Sequence, residues 1–374
     1  MAITVLHIFS GDLWAGAEVL IGHLLGRLAA EPEVRIIALA LNEGVLTGKL
    51  RESGIEVLAI PESSTSFPSI VRAAFASLRA RKIDVIHTHR YKENALGWCL
   101  GKLLDVKHLV ATIHGLPEPR LPDRPARRGV SWSAKANLWL LRNSFEKIVA
   151  VSEEMKGVLS SRYRLPANHV EVIYNGIRVP AVREDVDRGG ERPFRIGTVG
   201  RFVPVKDHVL FLKTAAFVAQ RRPHVRFSLL GDGPLQEALR RQAVDLGIGP
   251  GVEFCSPVSD AFPFYRSLDL YLCTSLHEGI PLSILEAMSC EKAVVAPGVG
   301  GIPEIIADEA QGLLVPSRLP EDFGEACLRL AGDPERRRAM GRAARARVHS
   351  AFSDTIMAAH YLDLYRGLLA RESV

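Results

Sequence analysis

The sequence predicts an α/β protein built from two doubly wound domains, on three observations. The chain has 374 residues, more than one hydrophobic core usually organises. Short β-branched runs alternate with longer stretches of helical period, the pattern of parallel strands covered by helices. The alternation happens twice, once on each side of a charged stretch rich in Gly and Pro.

Seven runs in the first half read as strands: ITVLHIF (3–9), VRIIALA (34–40), IEVLAI (55–60), DVIHTH (84–89), KHLVATIH (107–114), KIVAVS (147–152) and VEVIY (170–174). Most are near-continuously apolar, as strands buried on both faces must be. Between them lie helical segments such as 17–30, 69–81 and 134–143, long enough for the crossovers that parallel strands require. The stretch VPAVREDVDRGGERP (179–193) has no periodicity and reads as a linker. A second set follows: FRIGTVG, VRFSLLG, VEFCS, LDLYLCT, KAVVAP and GLLVP, starting at residues 194, 225, 252, 268, 292 and 312. SDTIMAAHYLDLYRGLL (353–369) opens on Ser353 as a cap and keeps a period near 3.6, so it is a helix with a face to bury. The expected organisation is 1–178, linker 179–193, 194–352, and a C-terminal helix in 353–374. Folds of this kind bind ligands in a cleft at the carboxyl ends of the strands.

Composition narrows the function classes. Hydrophobic residues at 47% and charged residues at 24% describe an ordinary globular chain. No uninterrupted apolar run approaches 18 residues, and MAITVLHIFSG lacks the basic start and small-residue cleavage site of a signal peptide, so the expected location is cytoplasmic. Five cysteines stand singly, which points away from a disulfide framework or a zinc site. The net charge of +5 is concentrated in two regions. ERRRAMGRAARARVH (335–349) reads as the solvated face of a helix. Residues 115–139 interleave Arg120, Arg124, Arg127, Arg128 and Lys135 with Trp132 and Trp139. That pattern fits peripheral contact with an anionic membrane and equally a Pro-rich loop entering a helix. No nucleic-acid module accompanies it, so nucleic acid is not an expected partner.

Three strand ends carry chemistry. TVGRFVPVKDH (198–208) delivers Arg201 and Lys206 ahead of a helix, a setting suited to phosphate because cations, free amides and the helix dipole all favour an anion. A basic solvated loop would give the same letters. LLGDGP (229–234) is a glycine turn with Pro234 placed to open a helix at its first position. SLHEGIPLSILEAMS (275–289) puts Glu278 at a strand end, Gly279 at the turn, Pro281 in a first helical turn and Glu286 on the second turn. Carboxylates beside a phosphate site are placed for hydroxyls rather than for the anion, which implies a sugar or ribose. The structural alternative is that Glu286 pairs within the protein.

HEGIPLSILEA resembles the Glu-x7-Glu signature of the retaining glycosyltransferases of family 4, whose GT-B fold has two Rossmann-like domains facing a cleft. WAGAE (14–18), DVIHTH, TIHG (112–115), VAVSE (149–153), VIYNGI (172–177), VGRFVPVK, LLGDGPL and GVGGIPEII (298–306) follow in the order of that family, so the resemblance spans roughly residues 1–350. It implies a retaining transferase moving a sugar from a UDP- or GDP-sugar to a hydroxyl of a glycan or lipid-linked acceptor, in surface polysaccharide (exopolysaccharide) biosynthesis at the inner face of the cytoplasmic membrane. Carried over by position, Arg201 and Lys206 would bind the diphosphate, Glu286 the ribose and Glu278 the donor sugar. The backbone of Gly279, Ile280, Pro281, Leu282 and Ser283 would approach sugar and phosphate, His114 would reach the sugar from the first domain, and Gly16 would let the first loop come close. The final helix would cross back onto the first domain. No cofactor or metal is implied, the nucleotide-sugar being a substrate.

The sequence departs from the family pattern at Ala15, at Asp207 where glycine is common, and at CSPV (255–258) near the expected base pocket. Asp185 and Asp187 form a D-x-D in the linker, without assigned function. His87 and His89 share a strand face, but two ligands do not make a metal site; they read as core or acceptor-cleft residues. The alternatives to a transferase are a nucleotide-sugar 2-epimerase of the same fold and an inactive nucleotide-sugar-binding protein.

Overall fold

The computed structural model describes residues 2–12, 16–115, 132–181 and 192–370. Trp14 and Ala15, the basic residues of 116–131, and Asp185 and Asp187 of the linker lie outside the described residues. The chain divides into two compact units, Met1–Gly176 with Asp354–Val374, and Ile177–Ser353.

The first unit runs β1 (Ile3–Phe9), α1 (Gly16–Leu28), β2 (Val34–Ala40), α2 (Val45–Glu52), β3 (Glu56–Ala59), α3 (Phe67–Leu78), β4 (Val85–Thr88), α4 (Tyr91–Leu104), β5 (His108–Ile113), α5 (Trp132–Ser144), β6 (Lys147–Ala150), α6 (Glu153–Ser161) and β7 (Val170–Val172). Its strands form a parallel sheet in the order β3-β2-β1-β4-β5-β6-β7. The winding reverses between β1 and β4, which pair with His7 opposite His87. Leu6, Ile8, Ile37, Ile86, Leu100 and Ile148 belong to one buried cluster, which explains why these strands read as continuous apolar runs.

The second unit runs β8 (Arg195–Val199), α7 (His208–Arg221), β9 (Arg226–Leu230), α8 (Gln236–Asp245), β10 (Val252–Cys255), α9 (Phe262–Ser267), β11 (Leu270–Leu272), α10 (Leu282–Ser289), β12 (Ala293–Pro297), α11 (Ile302–Ile305), β13 (Leu313–Val315), α12 (Pro320–Gly332) and α13 (Pro334–Ala351). Its parallel sheet has the order β10-β9-β8-β11-β12-β13, with the reversal between β8 and β11. Phe211, Phe227 and Phe323 anchor its core; each fully buried side chain of this size contributes roughly 1.5–3 kcal/mol. Ile177 bridges Ser353, so the chain enters and leaves this unit at one point. The last helix, α14 (Asp354–Ala370), belongs to the first unit and packs on α1.

Four local expectations need correction. Pro281 is the N-cap of α10, not a residue of its first turn, and α8 begins at Gln236, two residues after Pro234. In both places the chain turns before it coils, consistent with proline's lack of an N–H. Gly279 does not supply the unusual backbone of its turn; the left-handed glycine there is Gly300, φ 55°, from the neighbouring loop. The basic face of α13 is not all solvated. Arg345 Nη2 donates to the Pro180 carbonyl at 2.6 Å, and the Arg337 guanidinium lies 4.8 Å from the centre of the Phe194 ring, so these side chains serve packing as well as charge.

Candidate active site

In the second unit, the loops after β8 and β11 leave the sheet on either side of its topological switch point, where doubly wound domains bind ligands. The first carries Arg201 and Lys206, the second Ser275 and Glu278. Lys206 Nζ lies 2.5 Å from Glu278 Oε1, and Ser275 Oγ donates to the same oxygen at 2.7 Å. Burial alone would lower the Lys206 ammonium, but the charge and hydrogen bond of Glu278 outweigh it and hold the group above its ordinary value. Lys206 is therefore a fixed cation at neutral pH. Arg201 is exposed and makes no ion pair among the described contacts, which leaves its fork available to an anion.

Three devices hold these loops. Arg318 Nη1 donates to the Ser275 carbonyl at 2.9 Å, while Nη2 donates to the Thr274 carbonyl at 2.6 Å and pairs with Asp207. Leu276 N–H donates to the Val205 carbonyl at 2.8 Å, stitching the two loops directly. Asp207 holds φ 45°, the left-handed region, and its side chain accepts from Leu210 N–H to cap α7. A glycine is the usual residue for that backbone; an aspartate tolerates it through its local hydrogen bond. An Arg318→Ala variant should weaken binding of a phosphate-bearing anion at these loops about tenfold, because three hydrogen bonds that fix both loops are lost together. Calorimetric titration checks this.

Gly279, Leu282 and Ser283 are partly exposed where α10 starts, with Ile280 and Pro281 buried beneath them. No side chain caps this helix. Its first N–H groups thus have no side-chain cap, and the start of a helix is a favourable place for negative charge. Glu286 lies on the second turn, and its Oε2 accepts from the Tyr265 hydroxyl at 2.7 Å. Burial pushes the Glu286 carboxyl up to about 7, against the Tyr265 hydrogen bond that lowers it, with nearby Asp260 adding to the rise. A carboxyl raised in the folded state binds a proton there more tightly than in the unfolded chain. Its contribution to stability is therefore full below the unfolded carboxyl range and is lost as pH rises from there through about 7. Thermal melts between pH 5 and 8 should show that loss, and Glu286→Gln should flatten it.

In the first unit, His114 follows β5 and is half-buried, its Nε2 3.0 Å from Nδ1 of the buried His89. Burial, and then the charge of Arg90, push its imidazole down to about 4, so it is neutral. Gly16 is the exposed first residue of α1. Glu18, one helical position beyond Ala17, is buried and pairs with Arg90, which ties α1 to the loop after β4. A cavity of about 450 Å³ opens at the carboxyl side of this sheet, lined by Leu41, Phe67, Ile70, Tyr91, Leu96 and Leu140, with the Lys92–Glu62 ion pair among its lining residues. Sequence reading missed Tyr265, Ser275, Arg318 and Arg90, which carry no motif of their own.

The two sheets, each with its own switch-point loops, define the GT-B class of glycosyltransferases. Residues 14–179 match Glycosyltransferase Family 4, and residues 193–333 match Glycosyl transferases group 1. The chain belongs to this glycosyltransferase family. It is 28% identical over 363 residues to the D-inositol 3-phosphate glycosyltransferase of Corynebacterium kroppenstedtii, covering 91% of this chain and 77% of the relative. It is 26% identical over 366 residues to the protein of the same name from Streptomyces bingchenggensis, covering 87% and 78%. Its fold matches that of Anabaena HepE solved with UDP-glucose, at a TM-score of 0.84 and 19% identity over 98% of this chain and 100% of that one. The sucrose-phosphate synthase of Thermosynechococcus elongatus gives 0.76 at 20% identity, over 99% and 100%. The enzyme is a transferase. Among the described residues, no helix is long and apolar enough to cross a membrane.

Proposed function

We propose that the enzyme moves a hexose, with retention of configuration, from a nucleoside-diphosphate sugar to a hydroxyl of a glycan or lipid-linked acceptor in surface polysaccharide synthesis. The observation that carries the donor half is the Lys206–Glu278 pair at the switch point beside the uncapped start of α10. Arg201 and Lys206 hold the diphosphate and meet the negative charge that grows on it as the glycosidic bond breaks, a preorganised electrostatic role. Glu278 and His114 hydrogen-bond sugar hydroxyls, and Glu286 takes the ribose hydroxyls. The accepting hydroxyl attacks from the face the phosphate leaves, and a phosphate oxygen takes its proton. The cations come from the side chains, so the reaction is metal-independent. UDP is the favoured nucleotide, because solved proteins of this fold hold UDP and UDP-glucose.

The apolar cavity of the first unit supports an acceptor with an apolar portion, such as a lipid-linked saccharide. Peripheral attachment at the inner membrane face through 115–139 belongs to the same reading. A second reading rests on the relatives named for D-inositol 3-phosphate, which favour a small phosphorylated polyol instead.

Differential scanning fluorimetry with a panel of nucleoside diphosphates and their sugars, in EDTA, tests the donor half. One diphosphate should raise the melting midpoint in the wild type and not in Lys206→Ala. A shift that needs added metal, or that survives in the variant, would contradict the reading. Transfer assays with a prenyl-linked saccharide and with inositol 3-phosphate then separate the acceptors.

A further inference from the structure

Three buried histidines of the first unit, with the half-buried His114, form one hydrogen-bonded series with two tyrosines of α14. His114 Nε2 meets His89 Nδ1 at 3.0 Å, and His89 Nε2 meets His7 Nδ1 at 3.1 Å. His7 Nε2 meets the Tyr365 hydroxyl at 3.4 Å, and that hydroxyl meets His87 Nδ1 at 2.6 Å. His87 Nε2 meets Thr112 Oγ1 at 2.7 Å, and Thr112 meets the Tyr361 hydroxyl at 2.9 Å. The topology builds it: β1, β4 and β5 are adjacent, so His7, His87 and Thr112 come together, and α14 brings the phenols.

His7, His87 and His89 also place three ligand nitrogens within 4.8 Å of one another. All six of their ring nitrogens are already engaged in the series, and the His87 and His89 rings stack at 4.5 Å rather than converge on a point. A metal would have to break those bonds. The cluster is a proton-ordered series instead.

Burial keeps the imidazoles neutral, His7 down to about 3 and His87 and His89 well below their ordinary value. A neutral imidazole has one donor and one acceptor nitrogen, and a hydroxyl between two such neighbours donates once and accepts once. With each hydroxyl hydrogen inside the series used within it, since a stray buried O–H would be costly, fixing the direction of one bond fixes them all and two orders remain. If the series ran toward Tyr361, the phenolic hydrogen would be left without an acceptor in a buried place. If it runs from Tyr361, the hydrogen left over is instead the one on His114 Nδ1, at the end of the series, where the side chain is only partly buried and a water or ligand oxygen can reach it. Tyr361 is 2% exposed, so this order costs less. In that order Tyr361 donates to Thr112, Thr112 to His87, His87 to Tyr365, Tyr365 to His7, His7 to His89 and His89 to His114 Nε2. His114 must then carry its hydrogen on Nδ1, the buried atom that has no partner in the protein.

We propose that Tyr361 and Tyr365 set the tautomer of His114 through this series, so that its Nδ1–H is presented as a donor to a hydroxyl oxygen of the sugar. Tyr361, Tyr365, His87, His89 and His7 are positioning residues; His114 makes the contact. The sugar contact rests on the function proposed above, whereas the tautomer does not depend on any ligand.

Long-range 1H–15N correlation spectra of the full chain labelled with 15N-histidine report which ring nitrogen holds the hydrogen, with His114 assigned by its loss in His114→Asn. The wild type at pH 7 should show His114 as the neutral Nδ1–H form. Tyr365→Phe, which cuts the series between His7 and His87, should give a mixture shifted toward Nε2–H. Tyr361→Phe, which removes the donor at the end, should do the same and serves if the first variant does not fold. A wild-type Nε2–H form, an imidazolium, or a tautomer unmoved in both variants would overturn the proposal. If the tautomer is as expected but UDP-glucose leaves the His114 signals unmoved, the series stands and the sugar contact falls.

Discussion

Lys206→Ala should lower the rate of sugar transfer by about 10²- to 10³-fold, the usual loss when one preorganised donor to a developing anion is removed. The variant should also be less stable, because Glu278 keeps only the Ser275 hydrogen bond on the oxygen that Lys206 shared. Both side chains are partly open, at 25% and 13% exposure, so that loss should be about 1–2 kcal/mol rather than the larger figure for a fully buried pair. Two effects with one origin can be separated. In Lys206→Ala/Glu278→Gln the uncompensated charge is gone, so stability should recover most of the way while activity does not. Denaturant melts with initial rates on the single and double variants check this. Parallel recovery of both quantities would mean that the lysine serves only the fold.

Gly300→Ala should be the most damaging of the small substitutions. Its φ of 55° suits glycine, and an added Cβ would lie 1.8 Å from the Glu278 carbonyl oxygen. The left-handed conformation alone costs a non-glycine residue roughly 1–2 kcal/mol. Relief of the clash must move the backbone of Glu278, which also accepts from Gly301 N–H at 3.1 Å. A destabilisation of roughly 3 kcal/mol is expected, near the upper part of the range for single substitutions. Activity should fall with it even below the melting temperature, since Glu278 is displaced from Lys206. Full activity in a folded Gly300→Ala would show that the position of Glu278 is not critical. Gly298→Ala is the control, because a Cβ at Gly298 meets nothing within 4 Å.

The parts of the site that were legible in the sequence are those built by one strand end and the helix after it. Arg201 and Lys206, and Glu278 with Glu286, sit within single strand–loop–helix passages, so local period and turn residues were enough to place them. The period of two put His87 and His89 on one face, but His7 joins them only because β1 pairs with β4, and Tyr365 comes from 278 residues further along. Arg318 likewise reaches Ser275 across 43 residues. These partners depend on strand order, which no spacing in the sequence encodes. Glu286 illustrates the same limit. Its helix turn was readable, whereas the Tyr265 hydroxyl that holds it, and the burial that raises its carboxyl, required the packed domain. Asp207 read as a departure from a glycine position; its left-handed backbone shows what the position demands and how an aspartate meets it.

The most direct measurement is an isothermal titration of UDP and UDP-glucose into the wild type, Lys206→Ala and Glu286→Gln, with EDTA present throughout. The account predicts binding to the wild type without metal, at least tenfold weaker binding to each variant, and a greater loss at Lys206, where charge meets charge. Wild-type binding that vanishes in EDTA, or equal affinity in all three proteins, would contradict the placement of the diphosphate and ribose in the second domain.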